Sequence, residues 1–184
     1  DALLRRLLAE PGLEVISIWS PTFLLVALEH AEADLERYAS GLAPDRAQAL
    51  RQRRWTQVWP ALKVISCWAD GGSVLPARQL AQRFPGVLFQ PKGLLATEAP
   101  LTYPRVGLEG GVPVLDEVYF EFLSESQGLR TLSELAPGEE AEVVISQRSG
   151  LLRYRLGDRV LVTGRLGETP ALRFLGRCQA VSDL

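Results

Sequence analysis

The chain has 184 residues, is 47% hydrophobic and 23% charged, and carries a net charge of −2 at neutral pH. A chain of this length buries about 70% of its unfolded surface and needs no staples. Its longest wholly apolar run, Phe23 to Leu28, is far below the roughly 20 residues of a membrane helix, and no basic excess marks a nucleic-acid or anionic-lipid surface.

Leucines at helical spacing over Asp1 to Ala9 predict a helix stopped by Pro11-Gly12. Leu13 to Trp19 predicts a strand. Ser20 before Pro21 is an N-cap with proline in the first turn, and opens a helix to about Ser40 with Leu24, Leu28, Ala31 and Leu35 on one face. Pro44-Asp45 opens another, to about Trp55. Leu62 to Trp68 is a nearly continuous apolar strand, as expected of a sheet covered on both faces. Asp70-Gly71-Gly72-Ser73 turns the chain into a helix ending near Phe84, and Val87 to Gln90 is the next strand. The alternation predicts parallel strands with crossover helices.

After about Ala99 strands follow one another: Val112 to Leu115, Val118 to Leu123, Ala141 to Gln147, Leu151 to Leu156, Arg159 to Arg165 and Ala171 to Leu175. Ser149-Gly150 and Gly157-Asp158 read as turns between them. The net charge moves from +2 over residues 1–92 to −4 over 93–184. The expected fold class is α/β over residues 1–98 followed by mainly antiparallel β over 99–184. No low-complexity linker separates the two portions, so a shared core is expected.

Cys67 and Cys178 lack metal-ligand spacing, and Cys67 lies in an apolar run that predicts burial. A reducing, cytoplasmic home fits. The lone histidine, His30, lies beside Glu29 and Glu32 and reads as a solvated helical residue, so a Ser-His-Asp triad or a histidine metal cluster has little to build on. Neither GxxxxGK[ST] nor GxGxxG occurs.

Three segments hold possible chemistry. Gly71 and Gly72 follow a strand and let backbone approach a flat ligand, or simply make a tight turn. In Lys92 to Glu98, Thr97 could bond a phosphate oxygen while Glu98 holds Mg²⁺, a hard cation suited to one or two carboxylates plus phosphate; the alternative is a helix start. Tyr154-Arg155-Leu156-Gly157-Asp158 offers a carboxylate that could accept both hydroxyls of a ribose, or an ordinary turn.

Taken in order, these segments resemble the GH3-type acyl-acid amido synthetases of the acyl-adenylate-forming superfamily, most nearly the bacterial branch. The resemblance runs through Ile18 to Leu24, Trp59 to Gly71, Lys92 to Glu98, Tyr119 to Phe122, and Leu151 to Asp158 into Val160 to Gly164. It implies part of the large N-terminal domain of an adenylate-forming enzyme. The reaction it implies activates a carboxylic acid with ATP and Mg²⁺ and transfers the acyl group to an amine such as an amino acid.

Residue by residue, it implies that Thr97 and Glu98 meet the α-phosphate and Mg²⁺, and that Asp158 holds the ribose diol. Arg155 is a further basic position of that motif. Gly71 and Gly72 lie on the adenine side, with Leu94, Leu95 and Ala96 lining the nucleotide and Leu94 or Leu95 standing where relatives place an aromatic ring. Trp19, Phe23 and Trp68 fall near an acyl pocket. The family's phosphate loop is expected before residue 1 and its lysine-bearing C-terminal domain after Leu184, so the chain reads as a central fragment. Two alternatives stay open: a non-catalytic module that binds an acyl acid or a partner, and a parent that transfers its acyl group to a thiol such as coenzyme A. No nucleic acid or membrane partner is expected.

Overall fold

The computed structural model describes residues 1–124 and 127–178, which fall into two compact units. The first comprises Asp1–Ala69 and Ser73–Pro91; the second comprises Asp70–Gly72 and the residues from Lys92 onward.

In the first unit, α1 (Ala2–Ala9) leads into β1 (Val15–Ser17). The Ser20 cap forms as predicted: its hydroxyl accepts from the Thr22 N–H at 3.3 Å, and Pro21 starts α2 (Pro21–Ala33). The single helix predicted to Ser40 is instead two. Asp34, with φ −145° and ψ 67°, leaves the helical region and its carboxylate accepts from the Arg37 N–H, capping α3 (Leu35–Ala39). An aspartate side chain competes for backbone donors, so it ends one helix by starting the next. The helix predicted from Pro44 to Trp55 also divides, into α4 (Pro44–Arg51) and α5 (Trp55–Val58), at a left-handed Arg53.

Next come β2 (Val64–Cys67), α6 (Val74–Arg83) and β3 (Leu88–Pro91). The three strands form the predicted parallel sheet, in order β1-β2-β3, with Ile16, Ile65 and Phe89 in register. β2 differs from expectation in one respect: Ile65 and Cys67 are fully buried but Val64 and Ser66 only half so, giving an alternation rather than two covered faces. The core centres on Trp59, stacked between Trp55 and Phe84 at 5.7 and 6.2 Å, with Leu28, Leu50 and Leu80 completely buried around it.

The second unit is a seven-stranded antiparallel sheet. Its strands are β4 (Thr102–Pro104), β5 (Gly111–Pro113), β6 (Val118–Ser124), β7 (Gly128–Thr131), β8 (Glu140–Gln147), β9 (Tyr154–Leu166) and β10 (Thr169–Arg177), in the order β4-β5-β10-β9-β8-β6-β7. β4 and β7 escape the sequence pattern. The strands predicted at Leu151 to Leu156 and Arg159 to Arg165 are one, so Gly157-Asp158 is not a turn but part of β9, the middle strand. Alternate residues Phe120, Phe122, Val143, Ile145, Val160 and Val162 supply this unit's own buried cluster, closed by Leu101 and Leu135.

Candidate functional site

Residues 92–102 form a hook. The Leu94 N–H donates to Thr102 Oγ1 at 2.8 Å, the Leu101 and Thr102 N–H groups donate to the Leu94 carbonyl at 3.0 Å, and the Ala96 N–H donates to the Ala99 carbonyl at 3.1 Å. Side chains then alternate as in any extended segment. Leu94 and Ala96 pack against the sheet's buried cluster, while Leu95, 52% exposed, and Thr97 face outward. Thr97 and Glu98 sit at the tip, where Gln147 Nε2 holds the Glu98 carbonyl at 2.8 Å. Neither begins a helix.

The hook depends on Gly93, whose added Cβ would lie 2.0 Å from the Thr102 carbonyl oxygen. A backbone atom cannot swing aside as a side chain can. Gly93→Ala is therefore expected to destabilise the fold by about 1–3 kcal/mol, as overpacking does, and to displace the Thr97-Glu98 tip. Urea unfolding checks the first effect.

Asp158 owes its position to a bulge. β9 takes four steps from Arg155 to Arg159 while β8 takes only two from Val144 to Glu142, and Gly157 absorbs the difference at φ +75°. The displaced Asp158 is only 4% exposed, and Arg177 Nε reaches its Oδ1 at 3.2 Å. Burial pushes its carboxyl above the usual carboxylate range; Arg177 pulls it down, and the Glu98 carboxylate pushes it up again. Glu98 and Asp158, sixty positions apart in sequence, thus share one electrostatic environment.

The glycine pair belongs to the same unit. Gly71, at φ +54°, lies so close to β10 that a Cβ would come within 3.0 Å of the Phe174 ring, whereas Gly72 faces open space. Asp70 beside them accepts from the Phe174 backbone; burial raises its carboxyl, and the Arg173 guanidinium, itself paired with Glu109, draws it back. One strand, β10, therefore anchors both the glycine pair through Phe174 and Asp158 through Arg177.

Arg155 is committed to another partner. Its Nε and Nη2 grip both oxygens of Glu142, at 2.9 and 2.5 Å. That pair holds the buried Glu142 carboxyl below its usual range, so its stabilisation is present above the unfolded value of about 4.3 and lost as pH falls through the lower folded value. Arg155→Gln is expected to lower the melting temperature most at neutral and alkaline pH, with the difference from wild type shrinking as pH falls below the usual carboxylate range, as circular dichroism would show.

Trp19, Phe23 and Trp68 lie in the first unit. Trp19 and Trp68 touch with ring centroids 5.7 Å apart, and all three are substantially exposed, Phe23 at 75%. Cys67 is buried and Cys178 exposed, both reduced. Exposed His30 bonds Asp1 at 2.9 Å. Sequence reasoning missed Arg177 and Gln147, because only strand pairing brings them to the motif residues, and read Asp70 only as part of a turn.

The second unit also holds a cavity of about 880 Å³ bounded by residues such as Leu115, Tyr119, Phe120, Leu132, Leu152 and Pro170, and none of the residues predicted to hold nucleotide, metal or acyl group lines it. Among the described residues no cluster of three or more His, Cys, Asp or Glu side chains could cage a metal, and no helix is long and apolar enough to cross a membrane.

The chain shares its fold with parts of two larger solved proteins. It superposes on a GH3.15 acyl acid amido synthetase with a TM-score of 0.80 at 19% identity, over 97% of this chain and 40% of that one. It also superposes on a 2-hydroxyisobutyryl-CoA ligase with a TM-score of 0.62 at 15% identity, over 97% of this chain and 35% of that one. Residues 111–177 match the GH3 family central domain. A human GH3 domain-containing protein is 27% identical over 96% of the chain and 38% of its own length. A jasmonoyl–L-amino acid synthetase of Nicotiana attenuata is 41% identical over 32% of the chain and 11% of its own length. Residues 111–177 are thus similar to the GH3 family central domain, and the chain at lower identity to GH3 proteins. These matches give no support for the bacterial branch, since these relatives are human and plant proteins. The chain spans less than two fifths of the length of either relative.

Proposed function

We propose that this chain supplies the central, nucleotide-holding part of an ATP-dependent acyl-acid amido synthetase. Such an enzyme joins a carboxylic acid to the α-phosphorus of ATP with loss of pyrophosphate, and an amine or amino acid then displaces AMP to leave the amide. The observation that carries the reading is that one sheet positions both carboxylates: Gln147 of β8 holds the hook bearing Glu98, and the bulge in the neighbouring β9 buries Asp158. The printed activities of the relatives, acyl acid amido synthetase and jasmonoyl–amino acid synthetase, point the same way.

The residues present fit the substrates. Asp158 offers a carboxylate for a ribose diol, and the Arg177 contact orients it. Leu95, turned outward, can wall one face of adenine by apolar contact, while Leu94 and Ala96 support it from the core. Gly72, with open space where a side chain would lie, admits a flat ring. Glu98 would hold Mg²⁺ together with phosphate oxygens, the one-carboxylate arrangement that ion favours, so no protein cage is needed. The ion would offset negative charge on the phosphates; Thr97 would orient an α-phosphate oxygen. The barrier is the meeting of two anions, which positioning and charge relieve without a protein nucleophile.

The test is ATP–pyrophosphate exchange by the protein expressed from its full reading frame, over a panel of carboxylic acids. Exchange should require both Mg²⁺ and one class of acid; exchange indifferent to added acid overturns the reading. The 184-residue chain alone is expected to bind Mg-ATP no tighter than millimolar by calorimetry, because the triphosphate grip assigned to the phosphate loop is not among its motifs.

A further inference from the structure

The first unit contains a second cavity, of about 470 Å³, within the range of small-molecule sites. Three guanidinium groups, Arg53, Arg54 and Arg83, line it against a single carboxylate, Glu32, so its walls carry a net charge of +2. Thr56 and Gln57 add a hydroxyl and an amide. Glu32 is a fixed element: it accepts from Trp55 Nε1 at 3.2 Å and from Arg83 Nη1 at 2.6 Å, with Arg53 Nε at 3.7 Å.

The backbone supplies an independent observation. Arg53 has φ +56°, one of two left-handed non-glycine residues among those described. Its N–H donates to the Leu50 carbonyl and the Arg54 N–H to the Ala49 carbonyl, both at 2.9 Å. This is the double-bonded helix ending in which the left-handed position is usually glycine. Here an arginine occupies it, strained, and the same turn delivers two guanidinium groups to the cavity. Strain kept where a glycine would relieve it marks a position selected for its side chain.

We propose that this cavity is a binding site for a phosphorylated small molecule, held by Arg53 and Arg54 and separate in sequence from every residue assigned to the nucleotide. Planar guanidinium groups match phosphate oxygens in pairs, and a dianion matches the surplus charge of the walls. Glu32 orients Arg83 and Arg53 rather than contacting the ligand.

Thermal unfolding of the chain in inorganic phosphate, with acetate at matched ionic strength as the comparison, tests this. Wild type should show a saturable rise in melting temperature with phosphate and little with acetate. Arg53→Gly should melt about 2–4 °C higher than wild type in the absence of phosphate, the strain being gone, yet need at least about tenfold more phosphate for the same shift. Arg54→Gln, which leaves the turn unaltered, should weaken the phosphate effect similarly. Equal phosphate shifts in wild type and both variants, or equal shifts from phosphate and acetate, overturn the proposal.

Discussion

Glu98→Gln is expected to lower the kcat of acid-dependent pyrophosphate exchange by about 10²–10³, whereas Asp158→Asn should chiefly raise the KM for ATP, by about 10–100-fold. Under the proposed function the two carboxylates meet different parts of the nucleotide. A residue that holds the ion at the reacting phosphate acts as charge redistributes, so its loss falls on the chemical step. A residue that holds the ribose binds ground and transition states alike, so its loss falls on affinity. A shared fall in kcat would refute this division of roles, and wild-type rates in either variant would refute the assignment itself.

Stability separates these roles from a structural one. Burial raises the Asp158 carboxyl, so its folded value lies above its unfolded value of about 3.9. The sign follows: a raised acid leaves folding unpenalised below the unfolded value, and the penalty grows as pH rises through the folded one. At pH 7 the ionised Asp158 therefore works against folding, and Asp158→Asn should melt no lower than wild type. A clear drop in melting temperature would mean that Asp158 is there for the sheet. The same shift predicts that nucleotide affinity declines on acidification before an ordinary carboxylate would titrate.

How far the sequence reveals this arrangement depends on the range of each interaction. Ser20-Pro21 announces a helix start because cap and ring act within one turn, and the parallel strands are legible because period and punctuation are local. Asp34 and Arg53 interrupt apparently continuous helices through single-residue backbone choices that a hydrophobic pattern averages away. Gly157-Asp158 has the composition of a turn, yet pairing from β8 and β10 on either side keeps the chain extended and converts the turn into a bulge. The motif residues stand out by type and order, but Arg177, Gln147 and Phe174, which hold them, are ordinary residues until the sheet aligns them. Local chemistry names the participants here, and non-local pairing gives them their geometry.

Arg46→Met is expected to destabilise the chain by about 3–5 kcal/mol, more than loss of a typical surface contact by several-fold. Arg46 lies on α4, is only 7% exposed, and donates Nε to the Val58 carbonyl at 2.8 Å, Nη2 to that of Leu8 at 2.6 Å and Nη1 to that of Ala9 at 3.4 Å. The last carbonyls of a helix have no partner within it. Pro11-Gly12 stops α1 but leaves those groups inside the unit, where Trp59 Nε1 takes the Leu7 carbonyl at 2.8 Å and Arg46 takes the next two. One guanidinium thereby ties the end of α1 to the end of α5, and burial lowers its readiness to stay charged without removing the charge. Methionine fills similar volume but satisfies none of the three oxygens. Lysine restores a charge at a single point without the planar fork, so Arg46→Lys should recover only part of the loss. Urea unfolding of the three proteins at one pH would show the order Arg46, then lysine, then methionine; a methionine variant as stable as wild type would mean that water satisfies those carbonyls and that the helix ends are not joined through Arg46.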